Sequence, residues 1–460
     1  MAQHMAQPEA QLADAITAYQ QGNRGETLRV CRAILAHAPD DAAAHYVMGV
    51  AQADADELHE ALRALERAVA LSPDRASFHI TLGNLYLRLE RDAAAAGAFR
   101  KALAIAPKSA PAHANLATTL KRQGRLEEAV VEFRAALRLL RSPQTPGGAV
   151  TDPSQQETFR FASRAKLAHD IEQYEYLLAR DALPPAFEDE VARHREVLAE
   201  LERADANGDM AHRHALLPDQ QTRLAGTFNR LNYLPPEHNW PDAALSPSLA
   251  CDTLQADYAA ATPPVVVIDD FLTDAALAAL RRFCLEATIW FDCKEYGGYL
   301  GAYLNEGFDS PVLFALARDL KERLPDIFES HLLAQMWAFK YGSKGTGTRL
   351  HADKAAVNLN FWITPDEACA DESGGGLRLY DVAAPPEWRF ESYNHQETAL
   401  SAEIARQGAM PRDIPYKCNR AVIFDSSLIH ETIPYQFQEG YENRRINVTM
   451  LFGDRAETIG

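Results

Sequence analysis

ASFHITLGNLYLRLERDAAAAGAFRKALAIAPKS (76–109) is 34 residues long, and the chain on either side repeats its landmarks at that same step. Pro39, Pro73 and Pro107 are 34 residues apart, and Pro143 follows two residues late. Gly49, Gly83 and Ala117 share one small position, and Ala61, Ala95 and Ala129 share another. A large residue recurs as Leu65, Phe99 and Phe133, three residues ahead of Ala68, Ala102 and Ala136. Small residues let two helices approach closely, a large one fills the remaining gap, and proline stops the second helix. Units are expected at 8–41, 42–75, 76–109 and 110–143. The first carries Thr27 and Cys31 where Ala and a bulky side chain recur, as a terminal unit would. His45, His79 and His113 also keep the period, four residues before the small position. Stacked units hold them too far apart to share one ion, so they are read as packing between helices.

This period and these landmarks resemble the tetratricopeptide repeat. The resemblance implies an all-α solenoid of about four repeats over 8–143. Its concave face would take extended peptides or partner proteins, and it would bring no chemistry of its own.

The rest of the chain has to supply any chemistry. At about 150 residues per domain, 460 residues leave room for two to three domains. With 46 Lys+Arg against 64 Asp+Glu, the formal net charge is −18, which disfavours a general nucleic-acid partner. No apolar stretch is long enough for a membrane span, and MAQHMAQPEAQ (1–11) has neither the basic nor the apolar part of a secretory leader. Cys31, Cys251, Cys284, Cys293, Cys369 and Cys418 form no CxxC pair, which fits structural thiols in a reducing cytoplasm. A linker is expected at 144–154, rich in Pro and Gly, within a connecting region of 144–250. Helical patterns return from Ser163 to Leu231, with His212 and His214 on a solvated helix face, and Pro235, Pro236 and Pro241 mark the next boundary.

Beyond this the periodicity changes. PPVVVIDDFL (263–272) reads as a strand, and LTDAALAALRRFCLEA (272–287) as a helix capped by Thr273. LLAQMWAFKY, AVNLNFWITP, GGLRLYDV, RAVIFDSS and RINVTMLFG read as short strands, which together suggest a two-sheet barrel or jelly roll in 251–460. Within RLHADKAAVNLNFW (349–362), His351 and Asp353 stand at i and i+2, so on an extended chain they share one face. His430 ends the apolar run of RAVIFDSSLIHETIP (420–434), and Arg445 groups by parity with Asn447 and Thr449.

Residues 262–453 resemble the Fe(II)/2-oxoglutarate-dependent dioxygenases, closest to the prolyl-hydroxylase-like branch. The family uses an HxD…H triad and a basic residue on a later strand. Carried over, the resemblance makes His351, Asp353 and His430 the iron ligands and gives Arg445 the distal carboxylate of 2-oxoglutarate. Tyr341 and Asn360 would join the same co-substrate pocket. It further implies O2 as co-substrate, succinate and CO2 as co-products, and a double-stranded β-helix (jelly roll) with flanking helices. Two imidazoles and one carboxylate leave open positions on an octahedral ion, and an arginine fork matches a carboxylate. The gap from His430 to Arg445 is longer than is usual in the family, and PYQFQEGYEN (434–443) is expected to absorb it. That gap leaves the choice between Arg444 and Arg445 open, with Arg445 preferred because RINVTMLF matches without a further shift.

Competing features are read as structural. His395 and Glu397 form an HxE in a polar, helix-like stretch, and GSKGTGT (342–348) is read as a flexible turn at the rim of the site. GYLGAYLNEGF (298–308), with Tyr299 and Tyr303, is expected near its mouth. The expectation is therefore a cytoplasmic hydroxylase acting on a protein or peptide recruited by the repeats. The alternatives are a repeat-based interaction or sensory protein with a vestigial oxygenase domain, and an oxygenase of small molecules.

Overall fold

The 34-residue period becomes a run of paired helices: α1 (Ala2–Gln20), α2 (Arg24–His37), α3 (Ala42–Ala53), α4 (Leu58–Leu71), α5 (Ala76–Arg88), α6 (Asp92–Ile105), α7 (Ala110–Arg122) and α8 (Leu126–Arg141). The protein is described by a computed structural model that covers residues 2–142, 158–204, 210–236, 241–294 and 297–455. It divides into two units, Met1–Leu139 and Leu140–Gly460. The linker read at 144–154 lies outside the described residues.

In the first unit the recurring small and large positions meet. A Cβ on Gly49 would stand 2.7 Å from Leu65, and one on Gly83 would stand 2.5 Å from the Phe99 ring. Leu65 and Phe99 are fully buried, so α3 packs on α4, and α5 on α6, at a distance only glycine permits. The periodic histidines each close their own turn. Nε2 of His45, His79 and His113 lies 2.9, 2.9 and 3.0 Å from the carbonyl of Pro39, Pro73 and Pro107 respectively. Each ring thus ties the start of one repeat to the proline that ended the last. The N-caps follow the same period: Asp41 accepts from Ala44 N and Ser109 from Ala112 N, whereas Arg75 at the equivalent place makes no side-chain cap.

The second unit begins with helices Arg164–Leu178 and Phe187–Ala204, which bury Ile171, Tyr174 and Leu177 against Val191 and Leu183. The helical reading of 163–231 then needs correction. Helix Pro218–Leu224 stops well before Leu231, and His214 lies in an extended segment that pairs with Phe161–Ala162. On an extended chain, residues i and i+2 share a face, and the His212 and His214 rings accordingly meet edge to face at 4.6 Å.

From residue 265 onward the unit is rich in antiparallel strands. We number them β1 (Val265–Ile268), β2 (Asp292–Cys293), β3 (Leu300–Tyr303), β4 (Leu333–Lys340), β5 (Lys344–Gly345), β6 (Val357–Trp362), β7 (Leu377–Ala383), β8 (Pro411–Ile414), β9 (Ala421–Asp425), β10 (Leu428–Thr432), β11 (Tyr435–Gln436) and β12 (Ile446–Phe452). A seven-stranded sheet runs β1-β9-β6-β12-β4-β3-β2, a three-stranded one β8-β7-β10, and β5 pairs with β11. Val265, Trp362, Val422 and Phe424 of the large sheet share one apolar cluster with Leu377, Leu379, Ile414 and Leu428 of the small one. That core lies between the two sheets.

The strands that build the site have two different faces. On β4, Met336, Ala338 and Lys340 are buried on one side, and Trp337 and Phe339 point to the other, the period-2 alternation of a strand. On β12, Ile446, Val448 and Met450 alternate with Asn447 and Thr449, which line a cavity. Thr273 caps helix Asp274–Glu286 by accepting from Ala276 N at 3.1 Å, as its sequence predicts.

Candidate metal centre

The segment around His351 is fixed by its backbone. His351 N donates to His430 O at 3.0 Å and His430 N donates back to His351 O at 2.9 Å, an isolated antiparallel bridge. Ala352 N donates to Tyr393 O, and Asp353 N to Ser426 O. The first two bonds join this irregular stretch to strand β10 and the other two tie it to Tyr393 and Ser426, so that His351, Asp353 and His430 converge. One ligand-type atom from each lies within 4.8 Å of the others. Among the described residues no other trio of His, Cys, Asp or Glu does so. His395 and Glu397 lie at the ends of two consecutive short helices and do not line this cavity.

Both imidazoles are held in one tautomer. Nδ1 of His351 lies 2.8 Å from Arg349 O, and Nδ1 of His430 lies 2.9 Å from Leu428 O. A carbonyl only accepts, so each Nδ1 carries the proton and each Nε2 keeps its lone pair, the form that binds a metal. His351 keeps part of its surface at the cavity mouth but is densely surrounded. Desolvation, and then the neighbouring His430, push its imidazole down to about 4. Burial alone would raise the Asp353 carboxyl, but the two histidines beside it and the hydrogen bond from the Asn358 amide together hold it below the usual range. At neutral pH the site therefore presents a neutral His351 imidazole and an ionised Asp353 carboxylate, with the His430 ring beside them. That donor set suits a late first-row divalent ion, Fe(II) among them.

The cavity opens to solvent and is lined by Tyr341, Asn360 and Arg445 as well as the trio. Arg445 is almost fully buried; its Nε donates to Gly375 O at 2.7 Å and its guanidinium lies 4.6 Å from the centre of the Tyr341 ring. Arg444 turns the other way and pairs with Glu172 at 2.7 Å. Only Arg445, of the two, faces the cavity. Trp337 Nε1 is buried on the cavity wall with no hydrogen-bond partner, a donor that an occupant of the pocket would satisfy.

Loops close the frame. The turn GSKGTGT, read from sequence as flexible, is pinned: Lys344–Gly345 pairs with Tyr435–Gln436, and a Cβ on Gly347 would fall 1.9 Å from Thr432 O. The same pairing takes up the long interval between His430 and Arg445. A Cβ on Gly376 would fall 1.9 Å from Ile414 O, so the three-glycine stretch lets strand β7 start against β8. Tyr299, from the segment 298–308, stacks on Tyr341 at 4.7 Å and meets Phe339 edge to face at 4.9 Å, directly behind the cavity wall. The sequence reading set Asn447 and Thr449 on the strand face of Arg445, where they line the cavity, but missed Asn358 and Trp337. The spacing Asn358-x-Asn360 within a strand was the available signal, because it sets two buried amides on one face.

Comparison with known proteins reaches the first unit. Family models for the tetratricopeptide repeat match residues 76–109 and 98–131. The crystal structure of MamA is 26% identical over 29% of this chain and 78% of its own, with a TM-score of 0.28. An O-GlcNAc transferase of Thermobaculum terrenum is 27% identical over 32% of this chain and 30% of its own, with a TM-score of 0.29. YrrB, described as a TPR protein with an unusual peptide-binding site, is 19% identical over 28% of this chain and 66% of its own, with a TM-score of 0.27. No curated protein matches the sequence. The chain thus carries tetratricopeptide repeats, a class of protein-interaction module, followed by a region rich in antiparallel strands. Among the described residues no helix is long and apolar enough to cross a membrane.

Proposed function

We propose that the protein is an Fe(II)- and 2-oxoglutarate-dependent oxygenase, a hydroxylase of a protein or peptide substrate recruited by its repeats. One observation carries the reading: His351, Asp353 and His430 share a cavity with the buried guanidinium of Arg445. We read the two facing sheets as the jelly roll on which such centres are built. His351 and His430 would offer Nε2 to the ion and Asp353 a carboxylate oxygen. Arg445, oriented by Gly375 O and the Tyr341 ring, would take the far carboxylate of 2-oxoglutarate, with Tyr341 and Asn360 on the pocket wall. When bound, iron with 2-oxoglutarate and O2 supplies the oxidising power for C–H hydroxylation and leaves succinate and CO2. The free thiols of all six cysteines fit a cytoplasmic setting.

The test is anaerobic. Apo-protein with Fe(II) and then 2-oxoglutarate should develop a weak visible charge-transfer band, absent in His351→Ala and weakened in Arg445→Ala. Absence of the band, with iron unbound, would overturn the enzyme reading and leave the repeats as a scaffold. If the band forms, removing residues 1–143 should lower kcat/KM for a protein substrate and spare uncoupled 2-oxoglutarate turnover. Unchanged kcat/KM would overturn recruitment by the repeats.

A further inference from the structure

A chain of buried side chains crosses the floor of the cavity from Arg445 to Asp353. Arg445 Nη1 donates to Asn447 Oδ1 at 3.4 Å, and Asn447 Nδ2 donates to Asn360 Oδ1 at 3.1 Å. Asn360 Nδ2 then donates to Asn358 Oδ1 at 3.2 Å, and Asn358 Nδ2 to Asp353 Oδ2 at 2.7 Å. Thr449 Oγ1 adds a second donor to Asn360 Oδ1 at 2.9 Å. Every member is at least nine-tenths buried, and Asn358 is fully so.

The direction of this chain is dictated by its ends. A guanidinium can only donate and an ionised carboxylate can only accept. With a pure donor at one end and a pure acceptor at the other, each of the three amides has one orientation that leaves no link broken. Three carboxamides in series form a polarised ladder in which each bond strengthens the next. Their places follow from strand register: Asn360 stands opposite Thr449 and Asn358 opposite Leu451, with Asn358 and Asn360 on the same side of β6.

We infer that Asn358 is a positioning residue for the metal centre, fixing the Asp353 carboxylate through this ladder without touching substrate or co-substrate itself. The inference rests on the metal-binding reading above. A carboxylate on an irregular segment can rotate about its Cα–Cβ and Cβ–Cγ bonds. The 2.7 Å bond from Asn358 removes that freedom before any ion arrives, and outer partners of this kind typically change metal affinity 10- to 100-fold when lost.

The experiment titrates the full-length apo-protein with Co(II) alone. It reads affinity by calorimetry and ligand geometry by the visible d–d spectrum, alongside the apo-protein melting curve. Asn358→Leu keeps the volume and deletes the donor; Asn358→Ser keeps a polar side chain too short to reach Asp353 and covers the case in which the leucine variant fails to fold. The expected result is Co(II) binding weakened about 10- to 100-fold with a changed spectrum, while the KM for 2-oxoglutarate, held by Arg445, moves much less than the Co(II) affinity. Wild-type affinity and an unchanged spectrum in either folded variant would overturn the positioning role and leave the metal site standing. Failure of the wild-type protein itself to bind Co(II) would instead overturn the metal-site reading on which this one rests.

Discussion

At Gly347 the backbone stands in the left-handed region, with φ at +88°, and a methyl group there would meet Thr432 O. Neither strain can be relieved by turning a side chain, so Gly347→Ala should cost more than about 2 kcal/mol. Urea denaturation followed through the tryptophans, all of which lie in the second unit, would read it. Asp269 is a gentler case. Its carboxyl pairs with Arg420 and Lys417, which hold it down to about 2 against the opposing effect of burial. The sign follows: a carboxyl lowered by folding contributes its full stability above its ordinary pKa near 4 and loses it as pH falls from there towards 2. In Asp269→Asn the difference in stability from wild type should therefore shrink between pH 4 and pH 2, which denaturation curves at stepped pH would show.

At the scale of elements, helix α5 begins with Arg75, the only one of three equivalent caps that makes no side-chain bond. Its φ and ψ of −93° and 100° are already those a capping residue needs. Arg75→Asp should add about 1 kcal/mol by accepting from a free amide of the first turn, and should raise the melting temperature of the helical unit. Much of this level was legible from sequence. The repeat helices follow from a period that places glycine opposite leucine or phenylalanine, and β4, β6 and β12 follow from alternation, since a strand with one apolar and one polar face must alternate. What escaped depends on contacts between distant segments. Nothing within GSKGTGT announces that Tyr435–Gln436 will pair with it, and the helical reading of His214 failed because its backbone partner, Ala162, lies far upstream. The candidate trio was readable because its three residues sit in recognisable local settings. The amide ladder was only half readable, since Asn447 and Asn360 become neighbours through register alone.

At the scale of the whole molecule, the chain divides into two units, each with apolar clusters of its own among the described residues. Calorimetry of the full chain should accordingly resolve two transitions. Arg75→Asp should move one and Gly347→Ala the other; if both variants shift a single common transition, the units unfold as one. Gly376 carries a different consequence. It offers no side chain to the cavity, yet the chain can close there only because it has none. In a map of mutational tolerance it would stand out as sharply as His351 or His430, and a reader of that map alone would credit a piece of scaffolding with catalysis.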